Sequence, residues 1–135
     1  MRQLAKIFIF SSSLFVSAVG ASEKSDAAQL LEQIRSNIGN AACNDQQQCK
    51  SLGLGLKACG GPEMYLAWST LTTNAQLLSS LSQRYRSLRE EQIKAAGEIS
   101  NCMLIKDPGA YCQTPADPKA MGVCQLGLEG MNIAN

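Results

Sequence analysis

The sequence predicts an α+β domain: two helices packed on a small antiparallel sheet, stapled by disulfides. Three observations carry that prediction. Two segments, 26–38 and about 74–96, repeat their apolar residues at helical spacing. Between and after them lie short runs that alternate with period two or are bounded by Gly and Pro, the pattern of strands joined by turns. Six cysteines stand as two triplets, Cys43, Cys49, Cys59 and Cys102, Cys112, Cys124, on either side of a long cysteine-free stretch.

The chain has 135 residues, which fits one domain behind a leader. Arg2 and Lys6 precede an apolar run at 7–10, a serine patch at 11–13 and a second apolar run that exits through Val19, Gly20 and Ala21. A positive start, an apolar centre and a small-residue exit are the parts of a secretory signal peptide. Residues 1–21 are therefore expected to be removed after Ala21, with a cut after Gly20 as the near alternative. A bilayer span needs about 20 apolar residues, and this run is shorter and interrupted by serines. No cysteine follows the exit, so a lipid-modified start is not expected, nor is a membrane span after cleavage. Residues 22–126 form the expected domain and 127–135 a loose tail. Arg2 and Lys6 leave with the leader, so twelve bases become ten against eleven acids, a net charge of −1 over 114 residues.

An even cysteine count in an exported chain implies a disulfide framework in an oxidising compartment, the periplasm or outside the cell. Zinc sites use closer pairs such as C-x2-C, whereas Cys43 and Cys49 are separated by five residues. The absence of C-x-x-C also removes thioredoxin-like redox chemistry. Six cysteines allow fifteen pairings, and spacing does not choose among them. The two-triplet layout favours some bonds that tie one triplet to the other, each stabilising by roughly 3 to 4 kcal/mol in the chain-entropy model.

The first helix begins at Ser25, a fair N-cap, with Asp26 at the positive end of the helix dipole. Ala27, Leu30, Leu31, Ile34 and Ile38 form its apolar stripe, and Gly39 stops it. Between Cys49 and Cys59, Leu52, Leu54, Leu56 and Ala58 alternate with Ser51, Gly53, Gly55 and Lys57, which predicts a half-buried strand. Cys59-Gly60-Gly61-Pro62 is a turn. Residues 63–69 read either as a short helical turn or as an extended edge. Thr73 and Gln76 have the spacing of a capping box. The second helix then runs from about Asn74 to Ala96, with Leu77, Leu78, Leu81, Tyr85, Leu88, Ile93 and Ala96 on its apolar face and Gly97 at its end. Arg84, Arg86, Arg89, Glu90, Glu91 and Lys94 populate the outer face as a solvated charge pattern. Cys102-Met103-Leu104-Ile105-Lys106 suits a buried strand, and Asp107-Pro108-Gly109 a turn. Residues 110–113 and 122–126 are expected to pair as a hairpin around the proline-bearing loop 114–121.

Composition narrows function mainly by exclusion. The chain has no histidine, so no Ser-His, Cys-His or His-ligated metal mechanism is available within it. A formal charge of +1 supplies no basic footprint for nucleic acid. Ser-x-x-Lys in the exported part, nucleophile elbows and phosphate loops are absent. No catalytic, metal or cofactor-binding residue is assigned, and an enzyme is not expected. Cys59-Gly60-Gly61-Pro62-x-x-Tyr65-Leu66-x-x-Ser69, with the flanking cysteines, resembles a family of small exported bacterial cysteine-rich proteins with no known activity. The likeness runs from about Cys43 to Cys124, although the loop between Cys112 and Cys124 is longer here than in that pattern. The resemblance implies export and a disulfide scaffold and transfers no catalytic residue.

The expected role is an exported binding or interaction protein with a protein partner, inhibition of a secreted or envelope hydrolase being one version. A structural envelope-associated protein with no discrete ligand site is the alternative. Two surfaces are candidates for contact. One is the loop bracketed by Cys112 and Cys124, with Pro115, Pro118 and Lys119, since a tethered, proline-flanked loop is cheap to order on binding. The other is Tyr65 with Trp68, residue types enriched in binding hot spots. The competing roles are a solvated linker for the loop and core packing for the aromatics.

Overall fold

The computed structural model describes residues 25–127. The leader over 1–21, and all of the expected tail beyond its first residue, lie outside them. The described part has the expected α+β architecture: helix α1 (Asp26–Ile38), β1 (Ala42–Cys43), a 3-10 turn (Gln46–Gln48), β2 (Cys49–Leu54), β3 (Met64–Ser69), α2 (Ala75–Ala96), β4 (Ala110–Gln113) and β5 (Gly122–Leu126). The strands divide between two antiparallel sheets, one ordered β1-β5-β4 and one a β2-β3 hairpin.

Helix α1 follows its sequence signals closely. The Ser25 hydroxyl accepts from the Ala28 amide at 3.3 Å, and Gly39 ends the helix at φ 61°. Leu30, Ile34 and Ile38 are buried against Leu78, Leu81 and Tyr85 of α2, with Leu54 of β2 and four cysteines completing the core. The start of α2 differs from expectation. Asn74, not Thr73, is the cap, its carboxamide oxygen accepting from the Leu77 amide at 3.0 Å. Thr73 is instead buried, its hydroxyl 3.5 Å from the Ile38 carbonyl. Any Asx or Thr can cap, and packing of Thr73 beneath the end of α1 leaves Asn74 the side chain free to do so. Leu77 is exposed, one position off the buried stripe.

The strand expected across 49–58 stops at Leu54. Gly55 turns the chain at φ 78°, a backbone region that favours glycine, and a Cβ there would press on the Glu63 side chain. Residues 63–69 resolve to the extended alternative, as β3, pairing Cys49 with Ser69 through Leu54 with Met64. Ser69 is fully buried, donating to the Ala42 carbonyl and accepting from the Leu71 amide at 3.1 Å. The β4–β5 hairpin forms as expected, with Cys112 opposite Cys124. The free edge of β4 is covered by Gln46, whose carboxamide accepts from the Cys112 amide at 2.8 Å and donates to its carbonyl at 3.3 Å. That side chain supplies the pairing a further strand would make.

All six cysteines are bonded, as Cys43–Cys112, Cys49–Cys124 and Cys59–Cys102. Every bond joins the first triplet to the second and so spans α2 in sequence. Three disulfides fit a protein of an oxidising compartment. Among the described residues no helix is long and apolar enough to cross a membrane.

Candidate functional site

The four core cysteines occupy one place. The sulfurs of Cys43, Cys49 and Cys112 lie within 4.8 Å of one another. They belong to two adjacent disulfides and are not thiolates, the form that ligates metal. Gly122 is the backbone that passes beside them. A Cβ on it would stand 2.7 Å from the Cys112 sulfur and 2.8 Å from the Gln113 carbonyl.

The third bond sits in different surroundings. Helix α2 ends at Gly97 in the left-handed region, and the chain then runs without regular structure to β4. The buried strand expected at 102–106 does not form. Ile99 is 98% exposed, Leu104 76%, Met103 68% and Ile105 40%. Four large apolar side chains in one short loop form an unusual exposed feature, unlike scattered surface leucines. The run joins neither sheet: β1, β5 and β4 form one, β2 and β3 the other.

This loop is held at three places. At its start, Glu98 receives Arg89 Nη2 at 3.3 Å. The same guanidinium donates from Nε to Glu63 at 2.7 Å and from Nη1 to the Gln92 side-chain oxygen Oε1 at 2.6 Å. Arg89 was expected on the outer face of α2, yet it lies one helical step beyond buried Tyr85 and its side chain is only 20% exposed. Spacing of four residues from Tyr85 was the available signal. The hydrogen bond from Arg89 to Glu63 holds the guanidinium more firmly protonated. The Tyr85 hydroxyl, 3.4 Å from the other Glu63 oxygen, is pushed above its ordinary pKa, by burial first and by the Glu63 charge second.

At the far end, Asp107 accepts from the Ser51 hydroxyl at 2.9 Å and from the Gly109 amide at 2.8 Å. Those two bonds, Ser51 foremost, hold its carboxyl below the usual range. In the middle stand the Cys59–Cys102 bond and the Lys57 ammonium, which donates to the Met103 carbonyl. Cys102 is one of two non-glycine residues at positive φ among the described residues, at 53°. Leu104 leans over the 59–61 turn, its Cδ1 3.6 Å from the Cβ position of Gly61.

The residues singled out from sequence occupy other surfaces. Tyr65 and Trp68 are both half-buried in β3, three residues apart and so on opposite faces of the strand. Trp68 packs on the core. The Tyr65 ring and Pro62 flank Gly53, each 3.3 Å from its Cβ position. They therefore do not make one aromatic patch. Pro115, Pro118 and Lys119 are exposed, on a loop shaped locally by Asp117, which accepts from the Lys119 amide at 2.9 Å through its side chain and from Ala120 at 3.1 Å through its carbonyl. A polar groove of about 590 Å³ also runs between α1 and α2, past Gln33, Ser80, Gln83 and Arg84. No buried side-chain nitrogen or oxygen among the described residues lacks a hydrogen-bond partner. No family model matches the chain, and no curated protein or solved structure matches it.

Proposed function

We propose that this chain is an exported, non-enzymatic binding protein that engages a protein partner through the apolar loop at 98–107. The observation that carries the reading is the exposure of Ile99, Met103, Leu104 and Ile105 on a segment anchored by a disulfide and two polar clamps. Anchoring lowers the ordering cost of binding, and exposed apolar side chains supply the area to bury. Glu98 and Asp107 at the loop's ends are offset by Arg89, Lys106 and Lys57, so the apolar side chains and not charge would choose the partner, which favours an apolar pocket on a protein. Export is supported by the leader pattern at 1–21, by the disulfides and by the resemblance carried on the Cys59–Ser69 string. Inhibition of a secreted or envelope hydrolase is the specific version, in which the loop would occupy an apolar substrate cleft.

The test is chemical cross-linking in the envelope and secreted fractions, with wild type beside Leu104→Asp, Met103→Asp and Lys119→Ala. The expected result is a stoichiometric complex lost by more than about tenfold in either loop variant and kept in Lys119→Ala, because a buried charge opposes apolar docking. A complex lost only in Lys119→Ala transfers the contact to the 114–121 loop and overturns the assignment. Absence of any complex favours a structural envelope role.

A further inference from the structure

We propose that Cys59–Cys102 is a thiol–disulfide exchange site, opened by an external dithiol while the other two disulfides stay closed, and that opening it releases the apolar loop. Cys43, Cys49, Cys112 and Cys124 are all buried, at 0 to 6% exposure. Cys59 and Cys102 are both exposed. Exchange requires in-line approach of a thiolate to a sulfur, so accessible bonds react first and are the labile ones in a folded protein. The surroundings favour the same bond. Lys57 stands two residues before Cys59, and its ammonium donates to the carbonyl of Met103, the residue after Cys102, so a cation links the two segments that carry the bond, and cations favour the thiolate form. The Cys102 backbone at φ 53° is held in a region that a side chain disfavours, and it is free to leave that region once the bond is open.

The step balances with the dithiol as the reductant. Its thiolate attacks one sulfur of the pair, forms a mixed disulfide and expels the other as a thiolate, which takes up a proton. The second thiol of the reagent then displaces the first cysteine. The reagent leaves as a disulfide, oxidised by two electrons, and Cys59 and Cys102 become thiols. Opening is local, because Arg89–Glu98 and Ser51–Asp107 still hold the two ends of the loop and the core keeps both buried disulfides. The proposal concerns the bond and not the partner, so it stands or falls apart from the docking reading.

The experiment is a dithiothreitol titration of the folded, oxidised protein with iodoacetamide trapping and peptide mapping, beside limited proteolysis. The expected first product carries two labels, at Cys59 and Cys102, formed more than about tenfold faster than any label on the other four, which need the core to open. Its far-UV circular dichroism is unchanged, and cleavage within 98–107 is faster than in the oxidised form. Cys59→Ser with Cys102→Ser is expected to show the faster cleavage without reductant and no labelling over the same concentration range. Simultaneous release of six thiols, or a first pair at Cys43/Cys112 or Cys49/Cys124, overturns the proposal. Unchanged cleavage in the two-label species overturns the release of the loop.

Discussion

Around Cys43–Cys112 and Cys49–Cys124 the chain is dense: all four cysteines are buried, a glycine is needed to pass them, and four strands and both helices share the same core. Around Cys59–Cys102 the same covalent bond ties an exposed loop of apolar side chains to an exposed glycine turn. Loop entropy hardly distinguishes these bonds. Their sequence separations are 69, 75 and 43 residues, and separation enters only as a logarithm, giving about 4 kcal/mol for each. Packing makes the difference. A bond in the core stabilises residues that burial already gathers, and its removal also leaves a cavity. A bond on the surface fixes a conformation that no burial would select.

The sharpest way to break this comparison is to delete one bond of each kind. Cys49→Ala with Cys124→Ala should cost about 5 kcal/mol, loop entropy plus lost packing. Cys59→Ser with Cys102→Ser should cost about 3 kcal/mol, since no core packing is lost and the strain at Cys102 is relieved. Urea unfolding of both variants measures the gap, and equal losses would mean that chain entropy alone sets the framework's value.

A smaller effect comes from the glycines beside the two kinds of bond. Gly122→Ala drives a methyl into the Cys112 sulfur and a carbonyl and should cost about 2 to 3 kcal/mol by overpacking. Gly60→Ala, next to Cys59, meets nothing within 4 Å and carries only the penalty of φ 90°, about 1 kcal/mol. Thermal unfolding ranks them, and the reverse order would contradict the packing difference.

The smallest effect lies at the boundary between the regions, where Tyr85 touches the clamp that holds Glu98. Its hydroxyl has a raised pKa in the fold, so the native state keeps this proton more tightly than the unfolded chain. Stability from this group is therefore flat below about pH 10 and falls as pH rises through the folded value. Tyr85→Phe should remove that alkaline decline while changing neutral-pH stability by about 1 kcal/mol or less. Urea midpoints between pH 8 and 11 follow it.

How far the sequence was legible varies along the chain for physical reasons. Helix α1 is readable because its cap, its stripe at Leu30, Ile34 and Ile38 and its terminal glycine all agree locally. The hairpin of β4 and β5 is readable from its flanking turns. Residues 102–106 mislead, because an apolar run looks the same whether or not a strand is free to pair with it. Its apolar run, Cys102 to Ile105, sits at the lower limit of the four to eight usual for a buried strand, which was the warning available. Arg89 misleads because charge argues for the outer face, while its partner Glu63 lies 26 residues away.

The sequence by itself determined an α+β chain with two helices, a cysteine framework and no histidine chemistry, since composition, period and turn residues act over a few neighbours. Tertiary structure alone decided that all three bonds cross between the triplets, that two of them share the core, and that the third lies in the open. It also decided that Met103, Leu104 and Ile105 face outward. Those outcomes depend on which surfaces meet after the chain has folded, and burial of one segment is settled by the space the others leave.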